Sequence, residues 1–304
     1  MKRYPSQPDD RLAKLLKDPA QSRRHDIWLW LFLFHYRHHM LTPQSCNGYE
    51  MREVLADCLE QDEAVRNSLP LEKSVFLLPD RSLEWIKNDD RQYLWLLPRI
   101  KNMTELELPK GLIHLSHSDR LIAMIDLWNA NGRRSERRNS SYRPSKKTDT
   151  DNRISKKKDA VDLLHSEWRR HSEKDIEFEW FNDKKDGNKR CICAWRWLEK
   201  NYAYKLGKLT PSLFQSYQDL LIFFDGESLN SMEIRLIVKA IKNRWSRQQF
   251  DERSTDKKQV NILLSKTVIT QLDALKRKHN LKRAQIVEKL LSMEAKQGLY
   301  LSDD

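Results

Sequence analysis

Along most of the chain, apolar residues return every three or four positions with charged residues between them, the period of a helix packed on one side. That spacing predicts helices over 11–16, 26–40, 50–67 and 118–130; in the last, Leu121, Ile122, Ile125 and Trp128 share a face. Pro70, Pro79, Pro98 and Pro109 are expected to punctuate the stretch between them. Further on, helices are expected over 160–171, with Leu163, Leu164 and Trp168 on one side, and over 211–224, opened by Thr210 and Pro211. Another is expected over 231–250, where Ile234, Ile237, Val238 and Ile241 recur at helical spacing. Then the period changes. In DKKQVNILLSK (256–266), Gln259, Val260, Asn261 and Ile262 alternate polar with apolar, the mark of a strand with one buried face.

A lone strand leaves its backbone N–H and C=O groups without partners. The residues that follow suggest where the partner comes from. Residues 266–279 read as a helix with Val268, Leu272 and Leu275 on its apolar side. HNLK (279–282) reads as a turn, with Asn280 suited to a left-handed helix stop, and 283–295 as a second helix. Strand, helix, short turn, helix is the ribbon-helix-helix pattern, in which a second copy of the chain supplies the other strand about a two-fold axis. The expected fold class is therefore mainly α: a helical N-terminal domain, a helical bundle, and a C-terminal ribbon-helix-helix whose one short strand pairs across a dimer. On that reading Val260, Ile262, Leu264, Leu272, Leu275, Ile286, Val287 and Leu290 form the dimer core. Gln259, Asn261 and Leu263 face outward. A two-stranded ribbon fits the major groove of B-form DNA, where Gln and Asn can pair with the adenine edge for about 1–3 kcal/mol of discrimination each. Leu263 has no donor and is left to contact a thymine methyl or to pack at the ribbon's end. Lys257 and Lys258 suit phosphates beside the groove, and Lys282, Arg283 and Ala284 offer charge and free N–H groups at a helix N-terminus.

Charge sharpens this picture. The net charge of +12 and pI near 9.4 point to a polyanionic partner, nucleic acid first. Residues 133–158 hold 11 Lys or Arg against 3 Asp or Glu, two-thirds of the whole excess, with few apolar residues among them. Such a segment is expected to be a mobile linker able to lie along a phosphate backbone. The expected organisation is a helical domain over 1–130, the basic linker over 131–158, a Trp-rich helical bundle over 159–254 and the ribbon-helix-helix over 255–297. With only 7 glycines in 304 residues and an abundance of good helix formers, the remainder is expected to be helical.

At this point a resemblance can be stated. WRWLEKNY, RLIVKAIKNRWSRQQFDERSTDKKQVNILL and LDALKRKHNLKRAQIVEKLL resemble the macrodomain Ter protein (MatP) family over about the last third of the chain. The shared features are an order: a Trp-bearing helical bundle, a basic helix ending in an aromatic residue, a polar spacer, a Lys-Lys strand and a two-helix module. The resemblance implies a dimer on a specific duplex site that organises or marks a chromosomal region, and it makes Lys242, Arg244 and Arg247 on the basic helix candidates for further DNA contacts. The family continues into a C-terminal coiled coil. Here the second helix is followed only by GLYLSDD, so bridging of distant sites by that route is not expected. Transcriptional repression, or maintenance of a plasmid or phage, is the alternative within the same class.

Other chemistries are thinner. His35 and His39 would stand one turn apart on a helix, but no carboxylate completes a metal set, and packing or surface histidines are expected. In DIEFEWF, Asp175, Glu177 and Glu179 alternate in a way that suits magnesium in a nuclease; a solvent-facing strand edge explains them equally well. Trp28, Trp30, Trp195 and Trp197 are expected to anchor cores rather than to stack on bases. The four cysteines (Cys46, Cys58, Cys191, Cys193) offer one C-x-C pair and no zinc spacing, which suits free thiols in a reducing cytosol. IWLWLFLF (27–34) is far shorter than the ~20 residues that span a bilayer, and no cleavage site follows it. A cytoplasmic, nucleoid-associated location is expected, with no membrane partner, no metal, no cofactor and no enzymatic activity. A protein partner is left open for the N-terminal domain, and a metal-dependent nuclease and a protein-interaction scaffold are the competing classes. One internal echo stands out: residues 83–97 and 178–198 each run Glu-Trp, polar turn, basic residue, Trp-bearing apolar run.

Overall fold

The computed structural model describes residues 10–130, 147–202, 214–227, 229–253 and 260–301. Among the described residues it is mainly helical, with twelve α-helices and no strand. It divides into two compact units, Met1–Trp245 and Ser246–Asp304.

The first unit holds three apolar clusters. The first gathers α1 (Arg11–Leu16), α2 (Arg23–Tyr36), α3 (Gly48–Gln61) and α4 (Glu63–Phe76). The run IWLWLFLF forms the middle of α2, where Ile27 through Leu33 are all buried. A helix apolar on every side has to be enclosed by others. Trp28, Phe32 and Phe76 meet there with ring centroids 5.2 to 6.1 Å apart, so Trp28 and Trp30 are core residues, as their setting suggested. The single helix expected over 50–67 is two, because the Asp62 carboxylate accepts the Val65 N–H at 2.9 Å and opens α4. Pro70 and Pro98 do not break the chain. They sit inside α4 and inside α5 (Asp90–Thr104), on exposed faces where water can serve the carbonyl that each proline leaves unbonded.

The second cluster gathers a 3-10 turn (Asp80–Ser82), α5, α6 (His117–Leu127) and α7 (Lys147–Ser172). Helix α7 corrects the linker expectation. Residues 147–158 are helical and Lys157 is buried, its Nζ donating to the carbonyls of Phe76 at 2.5 Å and Asp126 at 3.1 Å. A charge count could not foresee that two helix-end carbonyls would capture one of the cations. Residues 131–146 lie outside the described residues.

The third cluster gathers a 3-10 helix (Glu173–Phe181), α8 (Gly187–Asn201), α9 (Tyr217–Gly226) and the first part of α10 (Ser231–Arg253). Ile234, Ile237, Val238 and Ile241 are buried along α10, and Trp195 and Trp197 are half-buried against the same cluster. DIEFEWF is the 3-10 helix and not a strand edge. Helix α9 starts at Ser216, where Ser216 and Asp219 form a reciprocal capping box; Thr210 and Pro211 lie outside the described residues. Arg91 joins Asp175 and Asp225, so the boundary expected between 1–130 and 159–254 is crossed by a buried ion cluster, and both fall in one compact unit.

The second unit contains α11 (Lys266–His279) and α12 (Arg283–Gln297), with bounds close to those predicted. Asn280 stops α11 at φ 51°, ψ 40°, the left-handed conformation expected of it.

Candidate nucleic-acid interface

Ser265 sets the start of α11: its backbone is extended and its hydroxyl accepts the Val268 N–H at 3.3 Å. Before it, residues 260–264 carry no regular structure, where the alternation predicted a strand. Gln259, Lys257 and Lys258 lie outside the described residues. Asn261 is exposed, and Val260, Ile262 and Leu263 are 67%, 64% and 103% exposed. Leu264 is exposed as well.

The helical hairpin has a very small core of its own. Leu272 and Ile286 are 7% and 5% exposed; Leu275 and Val287 are half-buried; Leu290, Leu291 and Met293 are exposed. The residues assigned to a dimer core thus fall into two sets. Leu272, Leu275, Ile286 and Val287 meet within one hairpin, while Val260, Ile262, Leu264 and Leu290 face solvent.

Arg283 is placed differently from its expected role. Its guanidinium forks onto Asp273 of α11, with Nε donating to Oδ1 at 2.8 Å and Nη2 to Oδ2 at 2.6 Å. That bond holds the Asp273 carboxyl below its usual range and braces one helix on the other. Lys282 is exposed at this corner, beside the first turn of α12 around Ala284. The Gln285 carboxamide accepts the Lys282 N–H at 2.9 Å and fixes the entry angle of the chain. Three exposed cations that the sequence reading passed over, Lys276, Arg277 and Lys278, stand in the last turn of α11. Their signal was present but ordinary, since cations commonly complement a helix C-terminus.

On α10, Lys242 lies over the Trp180 ring at 5.6 Å from its centroid, and Arg244 reaches the buried Cys193 thiol, whose pKa is raised chiefly by burial. Both are half-buried, with their charged ends engaged in these contacts. Arg247 is exposed.

The other candidates resolve structurally. Helix α2 ends at Tyr36 and His38 takes φ 54°, so His35 and His39 do not share a helical face. Asp175 is held by Arg91, and Glu177 by Arg235 at 2.7 Å. Among the described residues no group of three or more His, Cys, Asp or Glu is placed to hold a metal ion, and no helix is long and apolar enough to cross a membrane. Comparisons with family models, with curated proteins and with solved structures returned no match.

Proposed function

We propose that the chain is a sequence-specific, double-stranded-DNA-binding homodimer that organises or marks a chromosomal or mobile-element region. Two copies of residues 259–264 pair as a ribbon in the major groove. Gln259, Asn261 and Leu263 face the bases, while Lys257, Lys258, Lys282 and the N-terminus of α12 hold phosphates. Lys242, Arg244 and Arg247 add contacts from α10.

One observation carries the reading. A module with helix bounds and a left-handed turn at the expected places leaves Val260, Ile262 and Leu264 exposed in the single chain, along with Leu290. Four apolar side chains on a two-helix unit are too costly to leave in water when a two-fold partner can cover them, at about 25 cal/mol per Å² buried. The net charge of +12 supports a polyanionic partner, and the order of elements supports the resemblance to the MatP family.

Selection of bound duplexes from a randomised library, with wild type and Asn261→Ala, tests the proposal. Wild type should enrich a two-fold-symmetric motif. Asn261→Ala should still bind but relax preference at one base pair in each half-site, while Lys258→Ala should weaken all duplexes alike. Equal losses on selected and random DNA for Asn261→Ala would argue against base readout.

A further inference from the structure

Two arginines in the first unit make parallel sets of bonds, each to a pair of aspartates. Arg24 is the second residue of α2 after its N-cap Ser22, and Arg91 is the second residue of α5 after its N-cap Asp89. Arg24 forks onto Asp126 through Nε at 2.7 Å and Nη2 at 2.5 Å, and gives Nη1 to Asp80 at 2.6 Å. Arg91 forks onto Asp225 through Nε at 2.6 Å and Nη2 at 3.0 Å, and gives Nη1 to Asp175 at 2.6 Å. Three bonds agree in role, and Arg91 makes a fourth, from Nη2 to the other Asp175 oxygen at 2.8 Å.

The acceptors correspond too. Asp80 and Asp175 each lie in a 3-10 segment, and each is followed five residues later by a tryptophan, Trp85 and Trp180. Asp126 and Asp225 each lie near the end of a helix opened by a Ser-Asp capping box, Ser116 with Asp119 and Ser216 with Asp219. These helices are one residue out of step: Asp126 stands ten positions after its N-cap and Asp225 nine. The echo between 83–97 and 178–198 falls inside this larger correspondence.

Helix α7 touches both clusters. Near its middle, Lys157 donates to the Asp126 carbonyl at 3.1 Å; at its end, the His171 Nε2 is bonded to the Asp225 carboxylate at 2.8 Å. The two lie on one helix, about 21 Å apart at 1.5 Å per residue.

We propose that Met1–Trp245 is a stack of three helical layers coupled by two copies of one joint, each an arginine from one layer closed on two aspartates of the next, and each locked by one basic side chain of α7. The matching position on α8 is Asn188, two after the N-cap Asp186, so the series ends at the third layer. Asp175 and Glu177 acquire a structural role: one faces back to Arg91 and the other forward to Arg235 of α10. In such a stack each layer contacts only its neighbours, and its stability is the layer's own plus that of its joints. This proposal does not depend on DNA binding.

Hydrogen exchange read by mass spectrometry on the full chain tests it. Arg91→Met should lower protection about tenfold or more in α8 and α9 while leaving α1–α4 unchanged. Arg24→Met should do the reverse, loosening α1–α4 and sparing α8 and α9. Should either variant fail to fold, Asp175→Asn and Asp80→Asn open the same joints more gently and must give the same two patterns. Uniform loss across 10–245 in both variants, or no loss in either, would overturn the proposal.

Discussion

Lys157 shows how far a side chain's role can depart from its neighbourhood in sequence. It sits in a run of three lysines, and nothing local separates it from Lys156 and Lys158, which are exposed. Only the tertiary placement of the Phe76 and Asp126 carbonyls does so. Burial, with Arg24 beside it and Asp126 opposing, lowers its pKa from 10.5 to about 7. Between those two values the unfolded chain binds a proton that the folded chain does not, so this residue's contribution to stability rises as pH climbs from about 7 to 10.5. Denaturant unfolding of wild type and Lys157→Met across that range should show the difference between them growing with pH; a constant difference would contradict a buried, proton-poor lysine. Arg283 teaches the same lesson on the surface. Its partner Asp273 is ten residues back, across a turn, at no helical spacing. Lys282→Ala should therefore reduce the salt slope of DNA binding by about one, and Arg283→Ala by clearly less, in titrations at several ionic strengths.

Elements were more legible than residues. Helices α11 and α12 could be read because Asn280 and the apolar spacing point the same way, and the α10 stripe of Ile234, Ile237, Val238 and Ile241 is buried as its period implies. Pro70 and Pro98 misled, because a proline on a helix's wet side sacrifices one bond and is tolerated. DIEFEWF misled for another reason. Alternating acids look like a strand edge, but here two of them answer arginines on different helices. The hairpin's small core sets a further expectation. Leu272→Ala should destabilise the second unit by about 2–5 kcal/mol in urea unfolding. Leu263→Ala, removing an exposed side chain, should leave stability without DNA unchanged. If residues 260–264 pair between copies, the unfolding midpoint of this unit should also rise with protein concentration.

At the scale of the whole molecule, composition pointed to a helical, basic chain but not to its division. The break expected at the charged run near residue 131 is not where the compact units part, because contacts made by Lys157, Arg91 and His171 carry the first unit through to Trp245. Charge runs mark solvated segments only on average, and at 147–158 one captured lysine belongs to a helix of the first unit. The alternation at 259–262 predicts a strand, and residues 260–264 carry no regular structure in the single chain; the proposed pairing belongs to an assembly of two chains. The central claim is that pairing. The most direct measurement is pulsed dipolar EPR on the full chain carrying Leu263→Cys and a nitroxide label at that site. Strands 4.7–4.9 Å apart in one short ribbon should place the two labels within about 20 Å of each other, with or without DNA. A sample showing no dipolar coupling between chains, at concentrations where the protein binds DNA, would contradict it.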